Sequence, residues 1–230
     1  MSRAASIAEA YAYFDSKVFH ADLARRVAIQ TESQNPARAA ELDAYLTAEL
    51  TPSLEALGFE CCVYPNPSKG GPFLIAMRNE GADLPTVMSY GHGDVIRGLD
   101  AQWRAGIAPW TLSEEGDKLF GRGTADNKGQ HTINIGALHS VLKARGKLGF
   151  NVKLLIETGE ETGSPGLNVF CAAHRAELKA DVFIASDGPR VAPDRPTIFL
   201  GSRGVMNFDL SIDLRAGAHH SGNWGGFVQD

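Results

Sequence analysis

Several features that define whole classes of protein are scarce or missing in this sequence. Its three cysteines, Cys61, Cys62 and Cys171, are odd in number and two are adjacent, which suits no intrachain disulfide framework. No C-x-x-C spacing is present for a thiolate zinc site. Residues 1–9 lack the apolar segment of a secretory signal, and no apolar run reaches the ~18 residues needed to span a bilayer. These absences predict a soluble, cytoplasmic protein with reduced thiols and no membrane association.

Clustered basic residues are missing as well. The net charge is −5 at pH 7, and the lysines and arginines form no patch, so the sequence predicts no nucleic-acid partner and no affinity for anionic membranes. The 43% of hydrophobic residues is ordinary for a globular chain and is sufficient for a core. The acidic residues, by contrast, are grouped in motifs, and such groups can hold cations.

Hydrophobic spacing predicts an α/β domain. Helical spacing extends over four regions, which are 6–30 (in two pieces), 37–57 (ended by Gly58, with Pro52 placed to kink it), 129–145 and 172–178. Short β-branched or aromatic runs predict strands at 59–64, 73–77, 86–90, 152–156 and 182–185. Strands alternating with helices predict a three-layer α/β/α architecture with a mostly parallel sheet.

A second region begins near Gly204. Apolar residues alternate strictly with polar or small ones over 205–214, which predicts a half-buried strand of an antiparallel sheet. We therefore expect a catalytic domain over 1–203 and the incomplete beginning of an α+β domain over 204–230.

A histidine and an aspartate follow the predicted strand at 86–90. His92 and Asp94 are two residues apart, so extended backbone directs both side chains to the same side. The carboxylate can accept one imidazole N–H and leave the other nitrogen free for a metal. Taken alone, this spacing is a weak signal, because a loop histidine beside a Gly-Asp turn gives the same pattern.

A glycine-rich stretch, GRGTADNKG over 121–129, places Asp126 where a loop meets a predicted helix. The glycines allow a bound group to approach the backbone closely. The pattern does not fit a phosphate-binding GxxxxGK[ST] loop, because Lys128 is followed by Gly129. Asp126 alone is also compatible with a helix N-cap.

Carboxylates follow two further strands. Glu160 and Glu161 come shortly after the strand at 152–156, and Asp187 follows the strand at 182–185. The carboxyl ends of parallel strands are where α/β folds place their sites. A solvated acidic turn is the alternative for each motif alone, but four such loops together predict an O/N donor site for Zn²⁺, Mn²⁺ or Co²⁺.

The ordered stretches GHGD, GRGTADNKG, GEETGS, SDG and HHSGNWGG closely resemble the M20 family of metallopeptidases and amidohydrolases. The resemblance covers roughly residues 85–226, and the last stretch is most similar to the carnosinase-like dipeptidase branch. It implies a zinc-peptidase-like catalytic domain, a lid or dimerisation domain beginning near residue 204, and a homodimer.

The resemblance also implies roles for single residues. Two divalent ions, Zn²⁺ with Co²⁺ or Mn²⁺ as alternatives, are expected in the site, and the peptide after Asp126 is expected to be cis. Glu160 is expected to be the general base, Asp94 the partner of His92, and His220 an oxyanion-stabilising residue contributed to a neighbouring subunit. The expected metal ligands are His92, Asp126 (bridging both ions), Glu161 and Asp187.

The implied function is hydrolysis of an amide or peptide bond in a small substrate, as in a dipeptidase. An N-acyl-amino-acid deacylase of the same family and a truncated, non-catalytic metal-binding paralogue are the alternatives. The family takes a further metal-binding histidine from far downstream, and this sequence offers no match. We therefore expect the 230 residues to form at best one complete metal site and to be poorly active or inactive.

Overall fold

The computed structural model describes residues 2–188, 190–192, 194–201, 204, 206 and 208–212. Its contacts divide the chain into two compact units, Met1–Pro189 and Arg190–Asp230. All of the helices and strands reported below belong to the first unit. The boundary predicted at residue 203 stays a prediction.

A five-stranded mixed sheet forms the centre of the first unit. Its strands are β1 (Glu60–Tyr64), β2 (Phe73–Arg78), β3 (Thr86–His92), β6 (Asn151–Glu157) and β7 (Val182–Ala185), in the order β1-β2-β6-β3-β7. β3 pairs in parallel with β6 and with β7, whereas β2 is antiparallel to β1 and to β6. Four of the five strands therefore run in one direction, which confirms the predicted mostly parallel sheet.

Helices cover one face of this sheet. α4 (Thr51–Glu55) and α5 (Lys128–Arg145) contact its strands, whereas α1 (Arg3–Asp15) and α2 (Val18–Ala28) pack against α5, and α3 (Ala39–Ala44) packs against the helical segment Tyr45–Leu50. The core below them joins Leu50 and Leu54 to Leu74 of β2 and to Leu154 and Ile156 of β6. Burial of such side chains contributes roughly 1.5–3 kcal/mol each.

The opposite face of the sheet is covered by α6 (Leu167–Ala173). Phe170 stacks on Phe73, with ring centroids 4.3 Å apart, and lies in one cluster with Ile75 and Leu155. Successive residues of β2 and β6 therefore face two different cores, which explains their nearly continuous apolar sequences. Helices on both faces confirm the predicted α/β/α architecture.

Three local elements differ from the sequence prediction. The helix expected at 172–178 instead spans Leu167–Ala173, directly after Gly166 (φ +83°), so that Phe170 reaches the core. The helix expected at 37–57 contains a π-helical segment, Tyr45–Leu50, just before Pro52, which has no N–H for a regular helical bond. A hairpin of β4 (Ser113–Glu115) and β5 (Lys118–Phe120) was not expected at all.

The second unit is described only in part. Its described residues contain one isolated antiparallel bridge, Ala192 with Arg195, and none of them belongs to a regular helix or strand. In the strand predicted at 205–214, the apolar side chains at 206, 208, 210 and 212 are exposed, while its other positions lie partly outside the described residues. A strand needs a neighbour to pair with, and the described part of this unit supplies none.

Within the described residues, no helix combines the length and the apolar character that crossing a bilayer requires.

Candidate metal centre

Within the described residues, all of the predicted site residues except Asp126 lie at or after the ends of parallel strands, at the same edge of the sheet. His92 is the last residue of β3 and is paired in register with Glu157, the last residue of β6. Asp187 follows β7, the other neighbour of β3. Glu160 and Glu161 begin a short 3-10 turn, Glu160–Thr162, after β6. The sheet topology thus explains why residues far apart in sequence meet here.

His92 lies at the centre of this group and is completely buried. Its Nε2 atom is 2.8 Å from Oδ1 of Asp126 and 3.9 Å from carboxylate oxygens of both Glu160 and Asp187. Ligand atoms of His92, Asp126 and Asp187 all lie within 4.8 Å of one another. One imidazole nitrogen therefore faces three carboxylates.

The other ring nitrogen of His92 faces Asp94, which is also completely buried. Nδ1 lies 3.0 Å from the main-chain oxygen of Asp94 and 3.3 Å from its Oδ1. The Asp94 carboxylate in turn accepts the backbone N–H groups of Glu160 and Glu161, each at 3.1 Å. Asp94 therefore contacts both the histidine and the turn that carries the two glutamates.

Asp126 reaches the group from the loop before α5. The peptide bond between Asp126 and Asn127 is cis, as the resemblance implied. Gly129 closes the same loop by donating its N–H to the carbonyl of Gly123 at 3.0 Å. The Asp126 side chain remains well exposed, at 61%, so this carboxylate faces both His92 and solvent.

The electrostatics of the group indicate an excess of negative charge. Burial disfavours the charged imidazole, yet hydrogen bonds to Asp126 and Asp94 raise the pKa of His92 to about 11. Burial, together with neighbouring carboxylates, raises the pKa of Glu160 and of Glu161 above the ordinary value. The hydrogen bond from His92 lowers the pKa of Asp126. Five carboxyl groups around one imidazole would be stabilised by a further cation.

Glu160 and Glu161 do not belong to the group of ligand atoms formed by His92, Asp126 and Asp187. Glu161 is held through its backbone by Asp94, but its carboxylate is not part of the three-residue group among the described residues. Its role as a ligand stays a prediction, as does that of Glu160 as a base. His220 lies outside the described residues.

Sequence reasoning missed two buried residues beside the group. Asn127 is completely buried, and its side chain bonds the backbone N–H of His92 and the carboxylate of Asp187. Glu157 accepts hydrogen bonds from Tyr90 and Ser164 beneath the glutamate turn, and burial raises its pKa. Adjacency to Asp126 was the only signal for Asn127, and Glu157 lies at a strand end like the predicted acids.

The donor set fits a divalent metal ion. One imidazole nitrogen and two carboxylates converge, and such N/O donors suit Zn²⁺, Co²⁺ or Mn²⁺. The buried Asp94 contact on Nδ1 orients the imidazole in the way that metal-binding histidines require. A metal would compete with the proton on Nε2 for the same lone pair.

Comparison with known proteins places these features in a family. Residues 88–215 match Peptidase family M20/M25/M40. The chain is 32% identical over 183 residues to the cysteinylglycine-S-conjugate dipeptidase of Corynebacterium striatum, covering 79% of this chain and 39% of that protein.

Solved structures agree with the sequence comparison. Human carnosine dipeptidase 1 superposes with a TM-score of 0.69 at 27% identity, over 79% of this chain and 41% of that one. An M20 family metallo-carboxypeptidase from Sulfolobus solfataricus gives a TM-score of 0.64 at 29% identity, over 73% and 37%. The chain thus spans about two fifths of the length of these relatives. The match over 88–215 includes the strand ends that carry the candidate centre, and on this evidence the chain belongs to peptidase family M20/M25/M40.

Proposed function

We propose that this chain provides the metal-binding part of a dipeptidase, with His92, Asp126 and Asp187 as ligands of one divalent ion. The observation that carries the proposal is the convergence of their ligand atoms within 4.8 Å at one edge of the sheet. Two relatives of similar sequence or structure are named dipeptidases, and a third is named a metallo-carboxypeptidase. Zn²⁺ is the proposed ion, because it accepts mixed imidazole and carboxylate ligands.

A divalent ion in this position would polarise a scissile carbonyl and lower the pKa of a water molecule. Asp94 holds Nδ1 of His92, so that Nε2 points toward Asp126 and Asp187. Glu160 is the proposed general base: its carboxylate lies 3.9 Å from His92 Nε2 and is 39% exposed, so it reaches the open side of the group. There it would take a proton from the attacking water and pass it to the leaving amine.

The proposal extends to a second metal ion, to a second subunit and to the location of the protein. Besides its bond to His92, the Asp126 side chain is well exposed, which supports a role as a ligand shared by two ions. Glu161 would be a ligand of the second ion. We propose a homodimer in which His220 stabilises the oxyanion at the partner's site, and a cytoplasmic location. Free thiols at all three cysteines support that location.

Calorimetric titration of the purified chain with zinc tests the metal site. We expect one tight site, which His92→Ala and Asp187→Ala weaken by at least about 10-fold because each removes a direct ligand. The matched control is His174→Ala, since His174 pairs with Glu177 at 2.8 Å on the α6 side of the sheet. If His92→Ala and Asp187→Ala bind zinc as tightly as the control His174→Ala, the site is refuted.

Turnover is tested with carnosine, a cysteinylglycine S-conjugate and an N-acylamino acid. We expect slow, zinc-dependent hydrolysis of a dipeptide, lost in Glu160→Ala by about 100-fold or more while zinc is retained. Glu161→Ala should instead reduce binding of any second ion. Hydrolysis of the N-acylamino acid alone would replace the dipeptidase proposal with a deacylase, and normal turnover in Glu160→Ala would remove that residue as the base.

A further inference from the structure

We infer that Asn127 is a positioning residue of the metal centre: its amide holds Asp187 in place and couples it to a buried hydrogen-bond chain through His131 and Tyr45. The inference rests on the proposed metal site. Asn127, His131 and Tyr45 are all buried, with at most 3% exposure, and none of them is among the proposed ligands. They form a layer between the core and the site.

Two backbone groups fix the orientation of the Asn127 amide. The oxygen Oδ1 accepts the N–H of His92 at 3.2 Å, and the nitrogen Nδ2 donates to the carbonyl of Ser186 at 2.8 Å. A flipped amide would place oxygen against a carbonyl and nitrogen against an N–H, and would leave buried groups unpaired. Only one orientation of the amide therefore satisfies both neighbours.

That orientation determines the tautomer of His131. Nδ1 of His131 lies 3.2 Å from Oδ1 of Asn127, which has lone pairs but no hydrogen, so Nδ1 must carry the proton. Nε2 is then the acceptor and takes the hydrogen of the Tyr45 hydroxyl. Burial keeps the pKa of His131 well below its usual value and raises that of Tyr45, so both groups are neutral at neutral pH.

The other end of the amide acts on the metal centre. With one hydrogen directed to Ser186, Nδ2 has a second hydrogen facing Oδ1 of Asp187 and Oε1 of Gln130, each at 3.2 Å. Gln130 is itself oriented by its bond to the carbonyl of Ala125. Because the Asp187 side chain is 27% exposed and follows an exposed strand, this contact limits its movement relative to His92.

Gly91 provides the space for this arrangement. A Cβ atom at position 91 would lie 2.8 Å from Oδ1 of Asn127 and 3.4 Å from Cβ of His131. Alanine there would push the amide away without changing Asn127 itself. Two adjacent residues of β3 therefore serve the site: His92 is a proposed ligand, and Gly91 leaves room for the Asn127 amide to lie close to the strand.

Nitrogen NMR of the imidazole rings in the metal-free chain tests the hydrogen-bond chain directly. We expect His131 to show a protonated Nδ1 and an unprotonated Nε2 in the wild-type chain. In Asn127→Ala the Nδ1 proton loses its acceptor, and the Nε2–H tautomer, which can donate to Tyr45, should gain population. A protonated Nε2 or a doubly protonated ring in the wild-type chain overturns the inference.

Zinc titration tests the positioning role. Asn127→Ala should weaken zinc binding by about 10- to 100-fold, the usual effect of losing a residue that orients a ligand. Gly91→Ala should weaken it in the same direction and serves if Asn127→Ala does not fold. The matched control is Asn151→Ala, because Asn151 also bonds backbone groups on both sides of its amide, but at the start of β6.

The two measurements separate this inference from the proposed function. If wild-type protein binds zinc and Asn127→Ala binds it as tightly as Asn151→Ala, the positioning role is wrong and the metal site stands. If wild-type protein binds no zinc, the proposed function fails, and so does the positioning of Asp187 as a ligand. The tautomer of His131 then decides only the hydrogen-bond chain.

Discussion

At the scale of single residues, the loop that carries Asp126 depends on a glycine at its end. A Cβ atom at Gly129 would lie 1.8 Å from the carbonyl oxygen of Thr124, which no side chain can tolerate without movement of the backbone. Gly129 also donates its N–H to the carbonyl of Gly123. The position of Asp126 between these contacts is therefore tied to the absence of a side chain at residue 129.

Gly129→Ala should consequently destabilise the chain by about 3 kcal/mol or more, because backbone must move to relieve the contact. Gly146→Ala is the matched control at the other end of α5: its φ is +72°, but a Cβ atom there meets nothing. The control should lose only about 1–2 kcal/mol, the cost of a left-handed conformation. Urea denaturation measures the free energy of unfolding of both variants. An equal loss of stability in Gly129→Ala and Gly146→Ala would show that the contact with Thr124 is relieved at little cost.

Individual residues also show which part of the geometry of the candidate site could be predicted from the sequence. The convergence of His92, Asp126 and Asp187 could be predicted because each follows a recognisable strand or precedes a helix, and parallel strands end at one edge. Their role as metal ligands stays a prediction. The place of Asn127 could not be predicted, since its importance depends on which groups of three separate segments surround it. A buried amide has the same appearance in a sequence as an exposed one.

At the scale of elements, apolar strands were predictable and polar ones were not. β2 and β6 are nearly continuous in apolar residues because they face two cores, whereas the β4 and β5 hairpin contains charged residues and little apolar signal. The displaced boundaries of α6 have a similar cause, since Phe170 and the turn at Gly166 outweigh local helical spacing. Register and boundaries thus depend on contacts that the sequence does not display.

A single carboxylate joins three of these elements. Glu80, just after β2, accepts the N–H groups of Leu148 at 2.8 Å and Gly149 at 2.7 Å, in the connection between α5 and β6. Burial alone would raise the pKa of Glu80, but these N–H groups and Arg78 lower it overall. Its stabilising effect should therefore be present above the unfolded pKa of about 4.3 and be lost as the pH falls through the lowered folded pKa.

Glu80→Gln should cost about 2 kcal/mol at pH 7, since a neutral amide replaces a charged acceptor of backbone N–H groups. The difference from the wild type should shrink below pH ~4 as the carboxylate becomes protonated. Glu41→Gln is the control, because Glu41 pairs with Arg38 at the surface. Urea denaturation at a series of pH values decides, and a difference that is constant with pH would contradict the role of the charge.

At the scale of the whole molecule, the sheet has two outer strands, β1 and β7, among the residues that the structure describes. β1 is an edge strand next to the antiparallel β2, and β7 is the edge next to β3. The side chains of β7 are apolar but exposed, at 47% for Val182, 61% for Phe183 and 50% for Ile184. Edge strands with apolar side chains and unpaired backbone groups promote association of chains.

The chain should therefore self-associate as its concentration rises, and Phe183→Lys should reduce this association, because a charge on an edge strand opposes pairing with a second strand. Ile133→Lys is the matched control: Ile133 is similarly exposed, at 58%, but lies on α5, whose backbone hydrogen bonds are internal. Light scattering of the two variants and the wild type over a range of concentrations gives the comparison. Association that is unchanged in Phe183→Lys, or equally reduced in both variants, would show that general surface hydrophobicity, and not the open edge at β7, drives it.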